Sequence, residues 1–207
     1  MRNPTLLLYS LAALGCASKP DMRAPPAPVV PFPGSQLAGQ TISLWPLVTM
    51  RADSTLGWKA ALEPRRQALG KVDSILASQL TTRRSQIKWV LPADLRRAAQ
   101  QAPGLLPDPD LMATVQLQTH VMAMVPEPLR AQLRQLTGVA SGGSYALVPA
   151  NLVFVREPKG GGRARMVITL VNVRLGAVSW TATVTGVGRD PWEAVDGAVK
   201  HLLSEVL

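Results

Sequence analysis

Residues 165–185 read RMVITLVNVRLGAVSWTATVT. Arg165 to Arg174 and Ala177 to Thr185 are two β-rich runs either side of Leu175-Gly176, the pattern of a hairpin. In the second run Val178, Trp180, Ala182 and Val184 alternate with Ser179, Thr181, Thr183 and Thr185, which predicts one face toward a core and one face outward. Upstream, Tyr145 to Glu157 is a further strand interrupted at Pro149, and Lys159 to Arg163 is a glycine-rich turn. The three runs predict an antiparallel meander. Downstream, Asp190-Pro191-Trp192-Glu193 combines a cap, a first-turn proline and an acid three residues after the cap, so it opens a helix. Trp192, Val195, Val199, Leu202 and Val206 form that helix's apolar stripe.

The front half of the chain alternates strand and helix. Thr41 to Met50 reads as a strand whose two parities are both apolar, with Pro46 removing one donor. Arg51 to Gly57 is a loop. Pro64 to about Thr82 is a helix with Leu69, Val72, Ile75, Leu76 and Leu80 on its core side, and Arg83-Arg84 suit its negative end. Ile87 to Leu91 is a short strand, and Pro92 to about Gln101 a second helix. The segment Pro103 to Pro109 breaks the pattern, Asp110 to Met124 carries a weak helical period, and Pro128 to Leu136 is a further helix. The expected fold is therefore α/β (α+β): a single mixed sheet with helices packed on it, ending in a three-strand antiparallel meander and a C-terminal helix.

Before this domain stands a different kind of sequence. Leu6 to Leu14 is a short apolar run behind Arg2, well below the ~20 residues of a spanning helix and within the range of a signal-peptide core. Small residues follow at Gly15, Cys16, Ala17 and Ser18. Pro20, Pro25, Pro26, Pro28, Pro31 and Pro33 then make an extended spacer, at ~3.1 Å per residue. The expected organisation is residues 1–15 as a signal peptide, 16–40 as a lipidated Cys16 with a proline-rich tether, and 41–207 as the globular domain. Cys16 is the chain's single cysteine, so no intramolecular disulfide is available.

The anchor region resembles a bacterial lipoprotein signal, in which the cysteine becomes the acylated first residue. Ala13 stands where that family usually has Leu, and Leu14 lies one later. Ala13-Leu14-Gly15 and Gly15-Cys16-Ala17 also suit an ordinary signal peptidase, which would yield a soluble secreted protein. Lipoprotein processing implies at least two acyl chains, enough for stable anchoring at about 0.8 kcal/mol per buried CH2. Ala17 after the cysteine resembles the pattern sorted to the outer membrane, facing the periplasm. The domain itself resembles that of envelope lipoproteins such as the curli secretion lipoprotein and the activators of penicillin-binding proteins, and the amino-terminal domain of TolB. Gln67–Thr81, Ile87–Gln101 and Val167–Trp180 carry this resemblance. Gly176 and Trp180 match its turn-and-strand motif, while Asn172 replaces an acid and Leu175 a Thr.

Composition and motifs narrow the function by exclusion. The net charge is +9, which in a cytoplasmic chain would suggest nucleic acid. Export and the lack of aromatics among the basic residues argue against it. His120 and His201 stand on separate elements without a metal-ligand spacing. Ser141 and Ser144 flank Gly142-Gly143 without a nucleophile elbow. Gly160 to Gly162 precede a strand, so they lack the helix terminus of a phosphate cradle. Asp108 and Asp110, parted by Pro109, lack a third ligand. No catalytic, cofactor or metal site is expected. The expectation is a non-enzymatic envelope lipoprotein, held to the membrane through lipid on Cys16 and binding another envelope protein. A secretion-complex subunit, a soluble secreted binding protein and an enzyme acting on envelope polymers are the alternatives. The sequence specifies neither partner nor oligomeric state.

Overall fold

The computed structural model describes residues 31–119, 122–140 and 143–204. Cys16, the expected signal, the spacer up to residue 30, His120, Ser141 and Val206 lie outside the described residues. The described elements are β1 (Thr41–Leu44), β2 (Met50–Ala52), α1 (Arg65–Arg83), β3 (Lys88–Val90), α2 (Pro92–Gln101), α3 (Leu129–Ala140), β4 (Tyr145–Arg156), β5 (Gly162–Asn172), β6 (Ala177–Gly188) and α4 (Pro191–Leu203). One mixed sheet runs in the order β3-β1-β4-β5-β6, with β2 also beside β4. This is the α/β class read from the sequence, closed by the β4–β5–β6 meander and α4.

The single strand expected over Thr41 to Met50 is two strands. Trp45 N–H still bonds Leu147 O at 2.9 Å. Pro46 then has no N–H with which to continue the ladder. The chain rejoins the sheet at Met50. As a result β1 lies parallel to the first part of β4, Ile42 opposite Tyr145, and β2 lies parallel to the second, Met50 opposite Leu152. The weak helical period after Asp110 resolves into two short 3-10 turns, Pro109–Leu111 and Thr114–Gln118.

Two layers of helix cover the sheet. On the first face α1 and α4 pack over Leu152, Phe154, Met166, Ile168, Leu170, Trp180, Ala182 and Val184. The expected cap of α4 is formed: Asp190 Oδ1 accepts from Trp192 N–H and Glu193 N–H, and Glu193 Oε2 accepts from Arg189 N–H. Gly186 is where α4 touches β6 most closely, since a Cβ there would run into the backbone of Ala194 and Ala198. On the second face α2, α3 and the 114–118 turn cover Trp45, Ala146, Val148, Val171 and Val173. Val178 was expected inward with Trp180. Between Leu170 and Val171 the β5–β6 register shifts, Ser179 becomes the extra residue, and Val178 turns to the second face. Part of the expected tether also packs on the domain. Phe32 meets Trp180 edge-on, with ring centroids 5.4 Å apart, and Leu37 is buried.

Asp73 is the largest departure from the stripe read on α1. It takes a core position beside Val72, Leu76 and Leu80, while Leu69 and Ile75 are only partly buried. Leu47 N–H donates to its Oδ1 at 2.9 Å, and Arg96 Nη2 on α2 donates to its Oδ2 at 2.8 Å. Arg96 also grips Asp110, with Nε 2.9 Å from Oδ2 and Nη2 2.7 Å from Oδ1. Burial pushes the Asp73 carboxyl up to about 6, against the opposing pull of Leu47 N–H and Arg96.

Two outcomes follow from these contacts. The folded value of Asp73 lies above the ordinary 3.8, so its stabilising contribution is whole below that pH and is lost as the pH rises through about 6. Asp73→Asn keeps an acceptor for Leu47 and removes the titration. In urea titrations the stability of the wild type relative to this variant falls by up to about 3 kcal/mol between about pH 4 and about pH 7. A flat difference would mean that Arg96 keeps the carboxylate ionised throughout. Separately, Gly186→Ala is expected to cost about 3 kcal/mol and lower Tm by roughly 6–12 °C. Gly70→Ala, which meets open space on α1, is expected to be neutral or stabilising by about 0.5–1 kcal/mol.

Candidate interaction surface

Among the described residues, those that sequence chemistry singles out form no shared site. His201 is exposed on α4. Asp108 caps a 3-10 turn by accepting from Asp110 N–H, and Asp110 is held by Arg96. Gly160 and Gly161 turn the chain between β4 and β5. Among the described residues, no group of three or more His, Cys, Asp or Glu side chains could hold a metal ion. Among the same residues, no helix is long and apolar enough to cross a membrane. The buried acid Asp73 lines none of the clefts described below.

What stands out instead is how the sheet's second face ends. Among the described residues, the helical cover stops at the 114–118 turn, which rests on the sheet through Thr169 Oγ1, donating to Leu117 O at 3.1 Å. Beyond it β4, β5 and β6 continue. Cross-strand register gives the rows left there: Asn151, Val167 and Thr183; then Arg51, Val153, Arg165 and Thr185; then Val155, Arg163 and Val187. Val155 and Val187 are 39% and 55% exposed, in a chain whose remaining β4–β6 valines are largely covered. A cleft of about 280 Å³ opens where Gln118 meets Asn151, Val153, Val155, Arg165 and Val167. Asn151 gives an amide N–H to Gln118 Oε1 at 3.3 Å, and its Oδ1 is buried without a donor among the described residues.

Charge on this half-face is one-sided. Arg51 and Arg165 have no carboxylate or hydrogen-bond partner among the described residues, and both are exposed. Two carboxylates at its margin, Glu157 and Asp53, are engaged. Glu157 accepts from Arg163 Nε, a bond that holds its carboxyl below the usual range and raises the guanidinium. Asp53 accepts from Thr55 N–H and Oγ1 at 2.9 and 2.8 Å, and these bonds lower it too.

The same economy holds elsewhere. Asp94 pairs with Arg97, Glu127 with Arg130 and Asp196 with Lys200. These acids are taken up by caps and local pairs, whereas Glu63, which lines a cleft together with Arg51, has no side-chain hydrogen bond or ion pair among the described residues.

Two further clefts flank the sheet. One of about 400 Å³, at the start of β4, is lined by Ser144, Tyr145, Asn172 and Arg174. Asn172 Oδ1 there accepts from Arg174 N–H and Leu175 N–H, so the residue standing in the acid's place serves the turn. The other, about 600 Å³, lies along the outer edge of β2 beside Trp58, Lys59, Leu62 and Arg65. Arg65 closes part of that edge by donating to Met50 O at 2.9 Å. No motif in the sequence marks any of these surfaces. The available signal was the run of outward threonines in β6, which predicted an exposed face without saying what lies beside it.

No protein-family model matches the chain, and no curated protein does. Solved structures similar to it include the C-terminal domain of LpoB from Salmonella enterica, 18% identical over 72% of this chain and 83% of that one, with a TM-score of 0.38. The PelC dodecamer from Paraburkholderia phytofirmans is 13% identical over 86% and 92%, with a TM-score of 0.40. Lipoprotein GNA1162 from Neisseria meningitidis is 13% identical over 73% and 85%, with a TM-score of 0.39. These neighbours fall in the lipoprotein group that the sequence resembles. Likeness at this level assigns no residue, site or partner.

Proposed function

We propose that the chain is a non-enzymatic lipoprotein of the cell envelope, anchored through lipid on Cys16 and acting as a binding module for another envelope protein. The sequence from Leu6 to Cys16 supports the anchor, and Ala17 supports the outer membrane as its site, with the domain facing the periplasm. The observation that carries the binding role is the half-open second face of the sheet, where valines and unpaired arginines lie side by side. Contact surfaces of this mixed kind join apolar area to charges that select the partner. A binding module of this sort acts on a partner only through different affinities for the partner's states.

A second reading is a subunit of a secretion or assembly complex. It draws on the outer edge of β6, which is uncharged from Ala177 to Gly188 and is met at its start by Met124, opposite Ala177, and by Ala123 O, which accepts from Val178 N–H. Such an edge is a template for another strand. A detergent-solubilised ring of several subunits would favour this reading, and a monomer would exclude it.

Metabolic fatty-acid labelling with membrane fractionation tests the anchor. The wild type is expected to be labelled and membrane-bound, and Cys16→Ala to be neither. Equal solubility outside the cytoplasm for both proteins would make the segment a leader only. Retention of both inside the cell would overturn the envelope assignment.

A further inference from the structure

We propose that the open half of the sheet's second face docks an amphipathic helix of a partner protein, with acidic residues along both sides of the helix's apolar stripe. The proposal rests on the binding-module reading above and adds the surface and the partner's chemistry.

The first argument is shape. On β4 the outward residues Val153 and Val155 form an apolar column along the strand. Arg51 on β2 flanks this column on one side, and Arg163 and Arg165 on β5 flank it on the other. Strands lie ~4.8 Å apart, so Arg51 and Arg165 stand about 10 Å apart across Val153. That is the width of one helix, ~10 Å with its side chains. A helix laid along β4 would rest on the valines and carry its two flanks past the arginines. It would extend the layer that the 114–118 turn ends, which is how α/β sheets are ordinarily closed.

The second argument is charge. Arg51 and Arg165 face outward with no ion pair among the described residues, and of the nearby acids Glu157 and Asp53 are already engaged, leaving Glu63 at the far side of β2. The surface therefore selects carboxylates. A second copy fits poorly, because a two-fold contact would set these arginines against their own equivalents. A flat lipid surface fits poorly too. The floor of the cleft is Val167, 8% exposed and walled by Gln118, which a bilayer cannot reach and a side chain can.

The test uses the full-length protein in its own host. A photo-crosslinking residue is placed at Val155, with controls at Leu111 and Val139, exposed hydrophobics on other elements. The Val155 probe is expected to link to a protein segment that mass spectrometry identifies as helical with acidic flanks. Arg51→Glu combined with Arg165→Glu is expected to cut the yield about tenfold or more while leaving Tm unchanged. Acid-to-lysine changes in the linked segment are expected to restore it. Links at Val155 to a second copy, to lipid or to a basic or extended segment would overturn the proposal, as would full yield from the double variant. Protein capture at Leu111 or Val139 without capture at Val155 would overturn the docking site and leave the binding module standing. Capture of no protein at any position would remove both.

Discussion

The meander β4–β5–β6 is longer than the helices laid over its second face. On the first face the match is close, and it is bought by small residues: Gly186 lets α4 approach β6 until its backbone nearly touches the strand. On the second face the covering layer of described residues ends at the 114–118 turn, which meets β5 at Thr169, four residues from Arg165 in the middle row. A sheet face left to water in an antiparallel meander usually alternates to polar residues. Here the change is partial. β6 supplies threonines and β5 supplies arginines, while β4 keeps its valines.

The ion network around the buried Asp73 bears on the same region. Asp73 is costly to bury, and removing Arg96 would leave two carboxylates uncompensated. The network joins elements that no strand pairing joins: α1 through Asp73, α2 through Arg96, the 109–111 turn through Asp110, and the connection after β1 through Leu47 N–H. That connection, with Arg65 holding Met50 O, decides where the chain re-enters the sheet. β2 lies against the far half of β4 as a result, and Arg51 stands in the row with Val153 and Arg165. The ion network is thus structural, and its effect on the exposed face is one of position.

Much of this was legible from local pattern. The hairpin at Leu175-Gly176, the capped start of α4 and the extents of α1 and α2 follow from turn residues, caps and periodicity, each within a few neighbouring residues. The features that were missed depend on distant ones. Pro46 shows that a ladder bond is lost, but only the far half of β4 explains why the strand resumes at Met50. The bulge at Ser179 is set by β5, and a clean alternation conceals it. Asp73 shares the helical stripe with Leu69, Leu76 and Leu80, a signal that a reading confined to apolar residues passes over. Phe32 and Leu37 look like interruptions of a proline spacer until Trp180 is seen beside Phe32. The candidate surface was the least legible part, since Arg51 and Arg165 become neighbours only across β4.

This distance in sequence also explains why a basic composition alone says little about a partner. Charge spread over a surface acts beyond a Debye length of ~8 Å only weakly at physiological salt, so a net charge steers encounters without choosing among acidic partners. Choice requires cations held at a fixed spacing beside apolar area, so that a partner with misplaced carboxylates loses either pairing or burial. The sheet provides that spacing without a motif, because strand separation sets the gap between Arg51 and Arg165 and Val153 fills it. Long side chains on a loop would hold no such gap. Placing the arginines on paired strands converts an excess of positive charge into a pattern, and the pattern, more than the charge, is what a partner would have to match.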